Sequence, residues 1–228
     1  MRIVLTNDDG IDAPGLAALA AAASRLGGEA VIVAPLEPHS GCGHRVTTDR
    51  PLAVREAGPG RFAVAGTPAD CVRLALAELA PDAAVVVAGI NAGGNLGVDV
   101  HHSGTVAAAR EAALHGRRAL AASQYHRRGQ PIDWARATRW LEEVFARLPL
   151  DATAPGEFWN VNLPDLPPVA ADPAIVECGL DFSPFTLAYR ATDEGWHYDA
   201  RYHERPRAVG GDVDVCFSGA IAVSRLRA

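Results

Sequence analysis

The chain has 228 residues, a formal net charge of −6 and 49% hydrophobic residues, which suits one domain with a sizeable core and excludes disorder. All 21 basic residues are arginine, so P-loop, Schiff-base and kinase-type lysines are excluded, and the acidic balance gives no footprint for a nucleic-acid polymer. Cys42, Cys71, Cys178 and Cys216 form no C-x-x-C pair and read as reduced thiols of a cytoplasmic protein, with neither a signal-peptide profile nor an apolar run of roughly 18 residues for a membrane span.

The first element is a hydrophobic strand over residues 2–5, followed by an alanine-rich helix over 15–26 that Gly27-Gly28 stops. A second strand covers 30–34. Two shorter ones, 51–55 and 61–65, flank the turn Gly58-Pro59-Gly60. Thr67 then caps a helix, with Pro68 at its first position, Asp70 completing a capping box, and Val72, Ala75, Leu76 and Leu79 as its apolar stripe. Residues 83–88 (AAVVVA) read as a strand buried on both faces, 105–115 as a helix and 119–122 as a strand. Such alternation predicts a Rossmann-like, mostly parallel α/β sheet covered by helices on both sides. Past Gly129 the pattern changes. An amphipathic helix over 134–148 is anchored by Trp140, Leu141, Val144 and Phe145. Short β-like pieces follow at 158–163 and 174–178, with a hairpin across 187–202 turning at Asp193-Glu194-Gly195. The expected organisation is a single domain, 1–228, with a core over about 1–130. A helix and β-rich extension over about 131–228 would serve a substrate rim or subunit contacts.

The chemistry concentrates where strands end. Asp8 and Asp9 follow the first strand directly, and adjacent carboxylates raise one another's pKa unless a cation or proton compensates. As hard oxygen donors ahead of a helix they suit Mg²⁺ or Mn²⁺, with positions left for water and a phosphate oxygen. Ser40, in the loop Pro38–His44, and Asn91, after the strand at 83–88, are candidate completing ligands. Gly41 would let backbone N–H groups approach an anion, and Ser103-Gly104-Thr105 opens a helix whose N-terminus suits phosphate. The glycine-rich segment 89–97 lacks the lysine of a P-loop. No G-x-G-x-x-G follows the first strand, and no H-E-x-x-H or G-x-S-x-G is present. His39, His44, His101 and His102 fall in the same loops and read as surface residues.

Together these blocks resemble the SurE survival-protein phosphatases, metal-dependent 5′/3′-nucleotidases. The matching segments are Thr6-Asn7-Asp8-Asp9-Gly10 with Ile11-Asp12-Ala13-Pro14-Gly15, Ser40-Gly41, and Gly66-Thr67-Pro68-Ala69-Asp70. Gly89-Ile90-Asn91, Gly94-Asn95-Leu96-Gly97, Ser103-Gly104-Thr105, Ala109-Arg110-Glu111 and Asn160-Val161-Asn162 follow in order. The resemblance implies a metal ion held by Asp8, Asp9, Ser40 and Asn91, for which one Mg²⁺ or Mn²⁺ per subunit suits the donors; Asp8 or Asp9 would be catalytic, by orienting or deprotonating the attacking water or by attacking the phosphorus to give an aspartyl-phosphate. It also implies a nucleoside monophosphate substrate and a homodimer or homotetramer built through the C-terminal extension; the residues read as meeting the substrate are Asn7, Gly41, Asn95, Ser103, Gly104 and Thr105. Gly43, His102 and Ser224-Arg225-Leu226 depart from the family pattern, where serine, tyrosine and Thr-Pro-Leu are common. The alternatives are a catalytically degenerate metal- and nucleotide-binding relative and a Rossmann dinucleotide-binding enzyme.

Overall fold

The structure, a computed structural model, describes residues 1–127 and 129–228. Strand β1 (Arg2–Thr6) leads to helix α1 (Pro14–Ala23), which tightens into a 3-10 turn (Ser24–Leu26) and stops at Gly27, φ +65°. β2 (Glu29–Pro35) is followed by a long loop and the antiparallel pair β3 (Val54–Gly58) and β4 (Arg61–Val64). α2 (Pro68–Leu74) starts with the predicted capping box: Thr67 Oγ1 accepts from Asp70 N–H, and Asp70 accepts from Thr67 N–H. β5 (Ala83–Ala92), a 3-10 helix (Gly97–His101), α3 (Gly104–Leu114) and β6 (Arg118–Gln124) complete the alternating part. Then come α4 (Trp134–Arg147), β7 (Glu157–Leu163), β8 (Ile175–Glu177), the hairpin β9 (Tyr189–Thr192) and β10 (Gly195–Tyr198), α5 (Asp212–Phe217) and β11 (Ile221–Arg227).

Nine strands form one sheet in the order β3-β4-β2-β1-β5-β6-β7-β11-β8, parallel except for the β3–β4 and β7–β11 pairs. Period-two alternation sends neighbouring residues of one strand into two cores. Ile3 and Leu5 pack with α1 and α4, and Val4 packs with α2 and α3. The four anchors expected on α4 are all buried, on the α1 side.

The differences from the sequence expectations have local causes. β3 begins at Val54 rather than at 51, where Pro51 has no N–H to give a ladder. β5 continues to Ala92 through a register shift between Ala88 and Asn91, so Asn91 sits on the strand and pairs with Ser123 of β6. α5 and the 3-10 helix at Gly97–His101 carry no clear apolar period and were not anticipated. No helix among the described residues is long and apolar enough to cross a membrane.

Candidate active site

β1 and β5 are neighbours whose connections leave in opposite directions, β1 through α1 to β2 and β5 through α3 to β6. A crevice therefore opens at their carboxyl ends, where open parallel sheets collect ligands. A cleft of about 230 Å³ occupies it, lined by Asp8 and Asp9 after β1, Ser40 and Gly41 from the loop after β2, and Asn91 at the end of β5. Asn95, Asp99, His102 and Ser103 complete the wall. Seven of the predicted site residues thus converge although they span almost a hundred positions.

The other three lie behind that wall. Asn7 is fully buried and its Nδ2 donates to Gly10 O at 2.8 Å, which shapes the loop carrying the carboxylates. Thr105 is fully buried, with its hydroxyl on Asp8 Oδ1. Gly104 passes so close that a Cβ there would stand 2.8 Å from Asp8 Cβ and 3.0 Å from Cys42 Sγ. The start of α3, capped by Ser103 Oγ on Val106 N–H at 3.0 Å, therefore presses against Asp8 itself.

Burial pushes the Asp8 carboxyl up to about 6; the Thr105 hydroxyl pulls the other way, and the Asp9 charge adds to the rise. Neither Asp8 nor Asp9 has a cationic side chain within ion-pair distance among the described residues. Asp9 is more open and accepts from Ala92 N–H at 3.1 Å. Asn91 donates its Nδ2 to Gly93 O at 2.8 Å, so its Oδ1 is the atom left for another partner. Two carboxylates without a counter-charge, a free amide oxygen and a serine hydroxyl form a hard, anionic donor set that fits a divalent cation.

The surrounding loops are held by residues whose roles the sequence did not reveal. Asn95 is gripped from β7: its N–H donates to Asn162 Oδ1 at 2.8 Å, and its carbonyl accepts from Asn160 and Asn162 at 2.9 and 3.0 Å. Asn95 Nδ2 reaches Ser123 Oγ at 2.7 Å. Two asparagines at i and i+2 in an otherwise apolar strand were the available signal, since both must point the same way. The loop after β2 is pinned by His39 N–H on Asp8 O at 2.7 Å and Gly43 N–H on His102 O at 3.0 Å. His44, expected at the surface, is half-buried with Nε2 2.6 Å from Glu111 of α3. Thr47 binds Asp70 through both N–H and hydroxyl at 2.7 Å. A larger cleft of about 420 Å³ is lined by Arg127, residues 130–133, Arg136 and residues 165–168, and several of its polar groups are engaged structurally. There Arg136 donates to Leu166 O and Pro167 O, and Asp165 accepts from Arg127 N–H.

The family model described as survival protein SurE matches residues 3–179, which contain every group lining the crevice. The chain belongs to the SurE family. A Nostoc sp. relative is 48% identical over 227 residues, covering 100% of both chains. The 5′-nucleotidase SurE of Rhizorhabdus wittichii is 44% identical over 206 residues, 87% of this chain and 81% of that protein. In three dimensions the SurE protein from Aquifex aeolicus superposes with a TM-score of 0.85 at 29% identity, covering 100% of this chain and 93% of that one. The Rossmann-like sheet with its C-terminal strands is thus the SurE fold.

Proposed function

We propose that this SurE-family chain is a metal-dependent phosphomonoesterase that hydrolyses nucleoside 5′- and 3′-monophosphates to nucleoside and phosphate. The observation that carries the reading is the Asp8–Asp9 pair, uncompensated by any cationic side chain among the described residues, at the switch point of the sheet. Relatives named 5′-nucleotidase SurE support the substrate class.

Asp8, Asp9, Ser40 and Asn91 would hold one Mg²⁺ or Mn²⁺ ion. The ion would supply Lewis-acid polarisation of the phosphate and stabilise the charge that grows on its oxygens. Asp8 is fixed by Thr105 and shielded, so its part is ligation. Asp9 is the more accessible carboxylate, steadied by Ala92 N–H, and we assign it the orientation of the attacking water and the acceptance of its proton. Gly41 and the Ser103 end of α3 border the cleft where the remaining phosphate oxygens would lie. Asn95, clamped by β7, sets the opposite wall. In this reading Asn7, Gly104 and Thr105 shape the site from behind it.

The exposed hairpin β9–β10, with Trp196 at 75% exposure and Tyr189 and Tyr198 beside it, is the surface we assign to a homodimer or homotetramer. We place the protein in the cytoplasm, in keeping with its four free cysteines.

Phosphate release from a panel of nucleoside monophosphates, with Mg²⁺ or Mn²⁺ and with EDTA, tests the reading. Activity that needs the ion and disappears in Asp8→Asn is expected. Metal-independent turnover, or an unaffected Asp8→Asn variant, refutes it.

A further inference from the structure

The crevice holds a third carboxylate, Asp99, which the metal does not need. It lines the same cleft as Asp8 and Asp9, and its hydrogen-bond partners come from the C-terminal part of the chain. It lies in the 3-10 helix just before α3, and its carbonyl accepts the N–H groups of His102 at 3.0 Å and Ser103 at 3.1 Å. Its side chain is therefore one turn from the helix start that borders the phosphate position.

That side chain is held from one side only. Oδ2 accepts from the Tyr202 hydroxyl and from Arg205 Nη1, each at 2.7 Å, and Oδ1 has no protein partner among the described residues. Arg205 is itself 6% exposed, with its guanidinium over the rings of Phe185 at 4.4 Å and Tyr202 at 5.2 Å. Gly97 gives it room, since a Cβ there would stand 3.2 Å from Arg205 Nη2. Burial, then the Asp99 charge, holds the Tyr202 phenol far above its ordinary pKa, so it stays a donor. Two donors on one oxygen fix the carboxylate plane and leave the other oxygen for the cleft.

We propose that Asp99 reads the sugar of the substrate, its Oδ1 accepting a hydrogen bond from a ribose 2′- or 3′-hydroxyl. The proposal rests on the nucleotidase reading and deepens it. A carboxylate can only accept here, and it repels the phosphate. The donors of a nucleoside monophosphate are its sugar hydroxyls and, depending on the base, amino and ring N–H groups; within one turn of the phosphate position, the sugar is the part that fits. The C-terminal residues Tyr202 and Arg205 thereby act on substrate choice through Asp99, as positioning residues.

The test compares kcat/KM for AMP, 2′-dAMP and 3′-dAMP in the wild type and in Asp99→Asn, with p-nitrophenyl phosphate, which has no sugar, as reference. Arg205 and Tyr202 would claim the amide oxygen of the variant and turn its NH₂ to the cleft, replacing an acceptor with a donor. A charged hydrogen bond of this kind predicts a wild-type preference for AMP over one deoxynucleotide of about 10–100-fold. In Asp99→Asn the amide can at most donate a neutral hydrogen bond to the hydroxyl oxygen, so that ratio should fall by about 5-fold or more. A wild type that does not discriminate, or a variant that keeps the ratio, overturns the proposal. Equal loss on p-nitrophenyl phosphate also overturns it, by showing Asp99 to be structural. If the wild type releases phosphate from p-nitrophenyl phosphate but from no nucleotide, the nucleotidase reading itself fails, and the sugar contact with it.

Discussion

Replacing Asp8 by asparagine should stabilise the metal-free protein while removing its function. In the folded chain burial moves this carboxyl from an ordinary 3.8 to about 6, with Asp9 adding to the rise against the pull of the Thr105 hydroxyl. A carboxylic acid whose pKa is raised by folding favours the folded state when protonated and penalises it when ionised. The penalty therefore grows as pH rises from 3.8 through about 6 and is complete at pH 8. The full difference corresponds to about 3 kcal/mol at pH 8. Asparagine keeps an oxygen for Thr105 and carries no charge, so we expect a gain of about 1–3 kcal/mol in EDTA at pH 8, or roughly 3–10 °C in Tm. At pH 4 the gain should shrink below about 1 kcal/mol, because the folded wild type is then protonated. Saturating Mn²⁺ should close or reverse the gap, stabilising the wild type by about 3 kcal/mol at a hundredfold excess over Kd and leaving the variant unchanged. Thermal melts of both proteins at the two pH values, with and without metal, read all of this. An apo variant no more stable than the wild type at pH 8, or a gain of equal size at pH 4, would refute the electrostatic account of the site.

Gly104→Ala places a methyl 2.8 Å from Asp8 Cβ; we expect about 1–3 kcal/mol of destabilisation and, by titration calorimetry, weaker Mn²⁺ binding. Burial tends to raise Glu111, but hydrogen bonds from His44 and His115 hold it below its ordinary 4.5. Its stabilisation is present above that value and lost as pH falls through its lowered one, so Glu111→Ala should flatten the acid limb of a stability–pH curve. Thr67→Ala removes the α2 cap and the 2.6 Å bond to Arg45 O, and should cost about 1–2 kcal/mol in urea denaturation. Trp196→Ser, on the exposed hairpin, should lower the assembly state in light scattering without altering the monomer's far-UV dichroism.

Local features were legible because their physics is local. The Thr67 capping box, the Gly27 stop and the apolar stripe of α4 involve residues within a turn or two of each other, and each formed where expected. The Asp8–Asp9 pair was legible for a related reason: two adjacent charges after a buried strand are costly in almost any fold. Glu111 was not legible as the anchor of His44, because the two stand 67 residues apart and α3 alone shows only a charge on an alanine-rich helix. Asn91 was placed in a loop because the glycines around it mimic a turn, whereas pairing with β6 carries the strand through them.

The sequence by itself determined the alternation that makes a parallel sheet and the two carboxylates that lead a metal-site reading, since residue type and spacing suffice for both. Only the tertiary structure decided which loops share the crevice, that Thr105 faces Asp8 rather than the cleft, and that Arg205 and Tyr202 reach back across the chain to hold Asp99. Those contacts depend on strand order and on the reversal between β1 and β5. Strand order is set by how all the connections pack at once, which no single stretch of residues encodes.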